Sequence, residues 1–402
     1  MEAEFIVKAG QYMGAGLAMG FGAIGAALGE GMTGGYTNVS ISRRPPMSAA
    51  FTRNMLVAQA VAETSAIFAL MVAILLIFTD LSTRGLCNWA AAIGAGLSIG
   101  LGSFGSGIGA GFPGAQAVWG VSRQPKTASN MMTTMLVGQA VCQTPAIFAL
   151  VIAFLLIFKD FTGLPSWPYS ASLIGAGLAM GFGAIGSGWG GGQAGGAACE
   201  GAARQPRLRG NLMTVMLVGQ AVSQTPAIFA LLVGLMLITV GPTQGNLMAT
   251  MAMLGAGFSI GLGSIGSGLG NGVNADSACR AIARESSLAK GMMTFMLVGQ
   301  AVGQTPVIFA LMVSLMLLFG NYSDVPTLQS SIALLAAGIS MGFGAIGPGY
   351  GNGLAGAMAC EALAERPDQS GLLMRTMLIA QAVAQSTAIY ALVVAFVLMF
   401  VV

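Results

Sequence analysis

The chain contains no histidine in 402 residues, and only 7% of its residues are charged. The first absence removes the commonest general base and metal ligand of neutral pH. The second excludes an ordinary soluble protein, which carries roughly 25% charged residues. The net charge of +3 is too small to select a class of partner. Five cysteines, Cys87, Cys142, Cys199, Cys279 and Cys360, show no CxxC spacing and read as small apolar fillers. Residues 1–14 lack a basic stretch followed by an apolar core and a cleavage site, so no removable signal peptide is expected. No nucleotide-binding motif or nucleophile–base pair stands out. What remains is apolar. With 55% hydrophobic residues and a mean hydropathy of +0.80, the chain belongs in a membrane.

The apolar material is written five times. Residues 59–70 read QAVAETSAIFAL, and the segment returns at 139–150, 220–231, 300–311 and 381–392, at spacings of 80, 81, 80 and 81 residues. Each repeat holds two apolar runs. The first is glycine-rich: 13–31, 93–111, 174–192, 254–272 and 335–353. The second is bulkier: 47–78, 129–158, 210–238, 291–319 and 372–402. Each can span the hydrocarbon, about 30 Å at about 1.5 Å per residue. In lipid the backbone must satisfy itself, so helices are expected. The fold class is an all-α membrane protein of five tandem hairpins and ten helices, divided at 1–82, 83–162, 163–243, 244–323 and 324–402. The glycines do not form a phosphate-binding loop, because Gly16, Gly20, Gly22, Gly25 and Gly29 recur inside an apolar run without a basic partner. Small residues at such spacings let helices approach closely in a membrane. They predict a tight inner layer, with the bulkier helices outside.

Each hairpin turns in a polar loop, such as Ala203-Arg204-Gln205-Pro206, and 13 of the 16 Lys and Arg lie in these loops and their flanks. The positive-inside rule then puts the loops in the cytoplasm. Arg44, Arg123, Arg204, Arg284 and Arg366 become candidates for contact with a cytoplasmic partner. Trp89 and Trp167 fall where interfacial anchors belong.

Two carboxylates lie inside the runs of the first hairpin, Glu30 and Glu63. Each is about 16 residues from the loop apex, or roughly 24 Å down antiparallel helices. They meet at one depth, near the bilayer middle. Ionisable groups there cost several kcal/mol and mark function. Two acids at one height repel unless they share a proton or hold a cation. Oxygen ligands suit a hard cation, and Thr64 and Ser65 add hydroxyls beside Glu63. The other hairpins place Gln143, Gln224, Gln304 and Gln385 at the Glu63 position, and Ala110, Gly191, Asn271 and Asn352 at the Glu30 position. Glutamine does not ionise near neutral pH.

The glycine-rich first helix, the A-R-Q-P loop and the mid-span carboxylate of the second helix resemble the c-subunit, or proteolipid, of the rotor of F-type ATP synthases. The resemblance covers nearly the whole chain, although the family usually carries one hairpin. It implies a homo-oligomeric or mixed rotor ring turning against a stator a-subunit with an essential arginine, together with central-stalk subunits. It also implies a non-catalytic component of a rotary ATPase, H⁺ or Na⁺ as the transported ion with no organic cofactor, no nucleic-acid partner, and a bacterial plasma membrane. Glu30, Val61, Glu63, Thr64 and Ser65 match the pattern of the sodium-carrying branch. A tyrosine that such sites often use is Phe68 here and appears only as Tyr390. Neighbouring hairpins supply ligands in the family, so Val141 with Thr144, or Val383 with Ser386 of another chain, are further candidates. The glutamine hairpins read as ion-silent spacers, which lowers the ions carried per turn and favours ATP-driven pumping. Two rivals are a V-type proteolipid and a self-contained channel or transporter.

Overall fold

The computed structural model describes residues 2–164, 166–242, 245–322 and 327–401; among these there are helices and turns but no strand. Parts of the connectors expected at 159–169, 241–246 and 320–327 lie outside the described residues. The helices are α1 (Glu2–Arg43), α2 (Ser48–Phe78), α3 (Asn88–Arg123), α4 (Ala128–Cys142), α5 (Thr144–Phe158), α6 (Ser166–Arg204), α7 (Arg209–Thr239), α8 (Leu247–Arg284), α9 (Ala289–Gly303), α10 (Thr305–Phe319), α11 (Leu328–Glu365) and α12 (Ser370–Phe400). The pairs α4–α5 and α9–α10 are each one span interrupted at Gln143 and Gln304, so ten spans result. Pro145 and Pro306 follow these breaks and remove the backbone donor that would have carried the helix through. The glycine-rich helices run past their apolar segments to the loop arginines, about a dozen residues further than the hydrophobic pattern indicates.

Proline shapes the loops. Arg44, Gln124, Gln205 and Arg366 precede prolines and leave helical geometry, at φ −140°, −131°, −133° and −136°. The fourth loop has Ser286 instead of proline. There Glu285 takes the same φ of −134°, and its carboxylate accepts from the Ser287 N–H at 3.2 Å. At the opposite end the connectors turn on glycines with positive φ, Gly85 at 104° and Gly163 at 78°. Asp80 and Asp160 cap these turns. Hydrogen bonds from Ser82 and Thr162 hold their carboxyls below the usual range. Arg84, in the connector after α2, reaches the end of α5, and Lys159, after α5, reaches the end of α7, donating to the carbonyls of Ile157 at 3.3 Å and Ile238 at 2.7 Å. A cation at a helix C-terminus offsets its free carbonyls.

The hairpins stack side by side in two layers. The inner layer runs α1, α3, α6, α8, α11, each against the next. Backbone meets backbone there. A methyl group added at Gly100 would lie 2.5 Å from the Leu17 carbonyl, and one at Gly105 would lie 2.5 Å from the Ile185 Cα. The outer helices touch one another far less and present Ile67, Ile147, Ile228, Ile308 and Ile389 outwards. Close spacing inside and wide spacing outside curve the stack into an arc. The arc has two uncovered edges. In the apolar stretch of α3, 83% of residues are buried, against 39% in α1 and 11% in α12.

Candidate functional site

Glu30 on α1 and Glu63 on α2 lie near one level of the first hairpin. Gln59 on α2 donates to the Glu30 carbonyl at 3.1 Å, which fixes the register of the two helices at this level. The carboxyls lie within electrostatic reach of each other. Glu30 is half-buried, whereas Glu63 is exposed on the side where no hairpin precedes it. The Thr64 hydroxyl donates to the Ala60 carbonyl at 3.2 Å, and the Ser65 hydroxyl to Ala62 at 3.1 Å. Ser65 is fully buried, and its carbonyl accepts from Ser103 of the second hairpin at 2.7 Å. Val61 points the same way: its carbonyl accepts from Gln143 at 3.0 Å. The chain therefore brings Glu30, Glu63 and Thr64 to one level, while Val61 and Ser65 serve the junction with the second hairpin.

That junction repeats. Gln224 donates to the Val141 carbonyl at 2.6 Å, and Gln304 to the Val222 carbonyl at 3.3 Å. Each glutamine thus reaches back to the preceding hairpin. Proline frees the acceptor at the later three junctions, whereas Val61 is followed four residues on by Ser65, which keeps its N–H. Pro145, Pro226 and Pro306 lack the N–H that would bond Val141, Val222 and Val302 four residues earlier. A freed buried carbonyl needs a donor. The glutamine amide supplies it, as the O–H of a protonated carboxylic acid would. At the last junction Asn352 takes the role, donating to the Val302 carbonyl at 3.4 Å. The backward direction also places the neighbour candidates. The Val141 carbonyl is engaged by Gln224 at the junction of the second and third hairpins, away from Glu63, and Thr144 is half-buried. Val383 is 68% exposed on the uncovered edge of the fifth hairpin; its carbonyl accepts from the Ser386 hydroxyl at 2.7 Å.

A second glutamine series has a role that the sequence pattern does not reveal, although it opens every copy of the repeated segment. Gln139, Gln220, Gln300 and Gln381 are fully buried. Each donates twice. One bond goes to the first helix of its own hairpin, at Ala110, Gly191, Asn271 and Asn352, over 2.8–2.9 Å. The other goes to the outer helix of the preceding hairpin, at Ala58, Gly138, Gly219 and Gly299, over 3.0–3.2 Å. Gln59 makes only the first of these bonds, because nothing precedes it.

The loop ends carry a second set of charges. Arg43 and Arg123 stack on Trp119, at 4.0 Å and 5.0 Å from its ring centre. Arg204 pairs with Glu200 at 2.5 Å, and Arg280 bridges Glu200 and Asp276. This cluster joins the third and fourth hairpins and lies on the loop-side extensions of α6 and α8, beyond the expected apolar runs. Arg44, Arg284 and Arg366 are exposed. Trp167 is largely exposed and Trp89 half-buried at the opposite end. The five cysteines are buried.

Five stacked transmembrane hairpins with one mid-span pair of carboxyls define a membrane rotor proteolipid. The ATP synthase C-subunit family matches residues 13–76, 93–156, 174–237, 254–317 and 335–398, and the chain belongs to it. It is similar to the K-subunit of the A-type ATP synthase of Methanocaldococcus jannaschii, with 35% identity over 56% of this chain and 94% of the relative. The ATP synthase c-subunit of Petrotoga mobilis is 56% identical over 17% of this chain and 71% of its own length. That of Thermotoga maritima is 50% identical over 19% and 88%. The chain is thus a fused c-subunit, integral to the membrane. Its family forms non-catalytic rotor rings that carry H⁺ or Na⁺ past a stator, with catalysis in partner subunits.

Proposed function

We propose that the chain forms the rotor ring of a Na⁺-translocating rotary ATPase with one ion site per chain, built on Glu63 and Glu30. One observation carries this reading. At each junction within the chain an amide of glutamine or asparagine satisfies the valine carbonyl, and Glu63 alone keeps an ionisable group facing an open side. Two carboxyls with the Thr64 hydroxyl suit Na⁺ better than a bare proton. The F-type branch is favoured by the A-R-Q-P-like loops and by the ATP synthase c-subunit relatives. An A-type machine is the second reading, favoured by the K-subunit relative. A self-contained channel is disfavoured because four hairpins carry no charged residue at the mid-span level.

In this reading the loops face the cytoplasm of a bacterial plasma membrane and seat the central stalk, and Glu63 passes a stator arginine. Hairpins two to five pass the stator silently. Moving one charge through about 150 mV yields about 3.5 kcal/mol. A ring of two or three chains gains roughly 7–10 kcal/mol per turn, too little for the three ATP a turn serves in the family. Hydrolysis run against a steep Na⁺ gradient is the favoured direction. Carbodiimide labelling of the purified complex tests the site. One Na⁺-suppressed adduct per chain, at Glu63, is expected. Adducts in other hairpins, or labelling of Glu63 insensitive to Na⁺, would reject it.

A further inference from the structure

We propose that a groove at the loop end of the outer wall, between the third and fourth hairpins, holds one anionic phospholipid, with its phosphate on Lys290 and an acyl chain along Leu217 and Leu297. The proposal goes beyond the ion-carrying reading and does not depend on it.

Asn211, Thr214 and Val215 of α7 face Ala289, Lys290 and Met293 of α9 across a groove of about 400 Å³. Val215 is buried, and Ala289 and Met293 are half-buried; they form an apolar floor. Asn211, Thr214 and Lys290 are exposed and form a polar rim. Depth matches a lipid. With Gln224 and Gln304 at mid-span, Thr214 and Lys290 lie roughly 15 Å and 21 Å towards the loops by helical rise. A hydrocarbon layer of about 30 Å ends near Thr214. Lys290 therefore stands at headgroup level, above the acyl chains. One turn further in, Leu217 and Leu297 are 39% and 38% exposed on the same two helices and continue the floor as an apolar track.

The neighbouring junctions show why this groove is open. Between the second and third hairpins Arg209 fills the equivalent place. It donates to Asn130 Oδ1 at 3.1 Å and to the Thr134 hydroxyl at 3.3 Å. Asn130 and Thr134 are the counterparts of Asn211 and Val215, but the counterpart of Arg209 is Ala289. The arm that closes one groove is missing from the next. Between the fourth and fifth hairpins Phe295 replaces Val215, Asp368 replaces Ser287 and Gly371 replaces Lys290. There the floor is bulkier, an acid stands at the rim and the cation is gone.

Charge selects the ligand. Among the described residues no acid pairs with Lys290. Glu285, the acid nearest to it in sequence, accepts from the N–H and the hydroxyl of Ser287 at 3.2 Å and 2.5 Å. Arg207, one turn before Asn211, is exposed and adds positive charge on the α7 side. Basic residues at headgroup level attract anionic lipids, and the Asn211 amide offers further donors to a phosphodiester. A zwitterionic headgroup would bring its own cation towards Lys290 and Arg207. The apolar floor and track favour a lipid over free phosphate.

Native mass spectrometry of the purified full-length chain, delipidated in detergent and titrated with phosphatidylglycerol, tests the site. One phosphatidylglycerol per chain should bind ahead of the rest, and neither phosphatidylcholine nor inorganic phosphate should displace it. Lys290→Ala should weaken this binding about fivefold, the worth of one lysine at a membrane surface. Ala289→Arg separates the groove from the charge. It adds a cation yet fills the groove as Arg209 fills its own, so binding should fall although the net charge rises. The fold already accommodates both changes, since Gly210 and Arg209 stand at the equivalent positions of the third hairpin. Unchanged or tighter binding by Ala289→Arg would show that phosphatidylglycerol follows charge alone and would overturn the site, as would parental binding by Lys290→Ala. Displacement by phosphatidylcholine or by inorganic phosphate would overturn the choice of ligand.

Discussion

At the scale of single residues, holding hairpins together and, in the proposed function, carrying an ion fall to different side chains. Gln220 holds: it donates to Gly191 at 2.8 Å and Gly138 at 3.0 Å inside the membrane. Gln220→Leu should destabilise the chain by about 1–2 kcal/mol, since polar contacts between membrane helices average less than their aqueous worth. Unfolding in mixed detergent micelles measures this, and an unchanged midpoint would contradict the role. Glu63 is the proposed carrier: Glu63→Gln should leave folding and ring assembly intact, because glutamine already fills this position in four hairpins, and should abolish Na⁺-sensitive carbodiimide labelling. Loss of assembly would show instead that Glu63 is structural. The Glu63 column stands out in the sequence because a five-fold repeat serves as its own control. The role of the Gln59 column does not, because its partners are backbone carbonyls and leave no trace in side-chain identity.

At the scale of the helix, glycine position decides the effect of a substitution. Gly100→Leu would force a side chain into the Leu17 carbonyl and should cost more than about 3 kcal/mol, preventing a folded chain. Gly20→Leu meets open space within one chain, so the chain should fold in detergent and fail only in forming rings. Size-exclusion chromatography separates the two outcomes, and equal behaviour of the two variants would contradict the edge assignment. Hydrophobic runs gave the number and order of the spans because lipid enforces length and backbone satisfaction together. They could not give the loop-side reach of α6 and α8, where Glu200, Asp276 and Arg280 satisfy one another and let the helix continue through a charged stretch. They also missed the interruptions at Gln143 and Gln304. Pro226 stands in the same relation to Gln224, yet α7 runs unbroken, so proline alone does not set the break.

At the scale of the whole molecule, fusing five hairpins and keeping one carboxylate changes the gearing of a rotor. In the proposed function each chain adds five steps past the stator and one ion. Ring closure by copies of this chain keeps that ratio, whereas admixed single-hairpin subunits would raise it. The number of Na⁺ ions moved per ATP hydrolysed, measured with the purified complex in sealed liposomes, tests the claim of one ion-carrying hairpin in five. The account predicts roughly one Na⁺ or fewer per ATP, with little synthesis at ordinary membrane potential. A ratio of about three or more, or robust synthesis at such a potential, would contradict it.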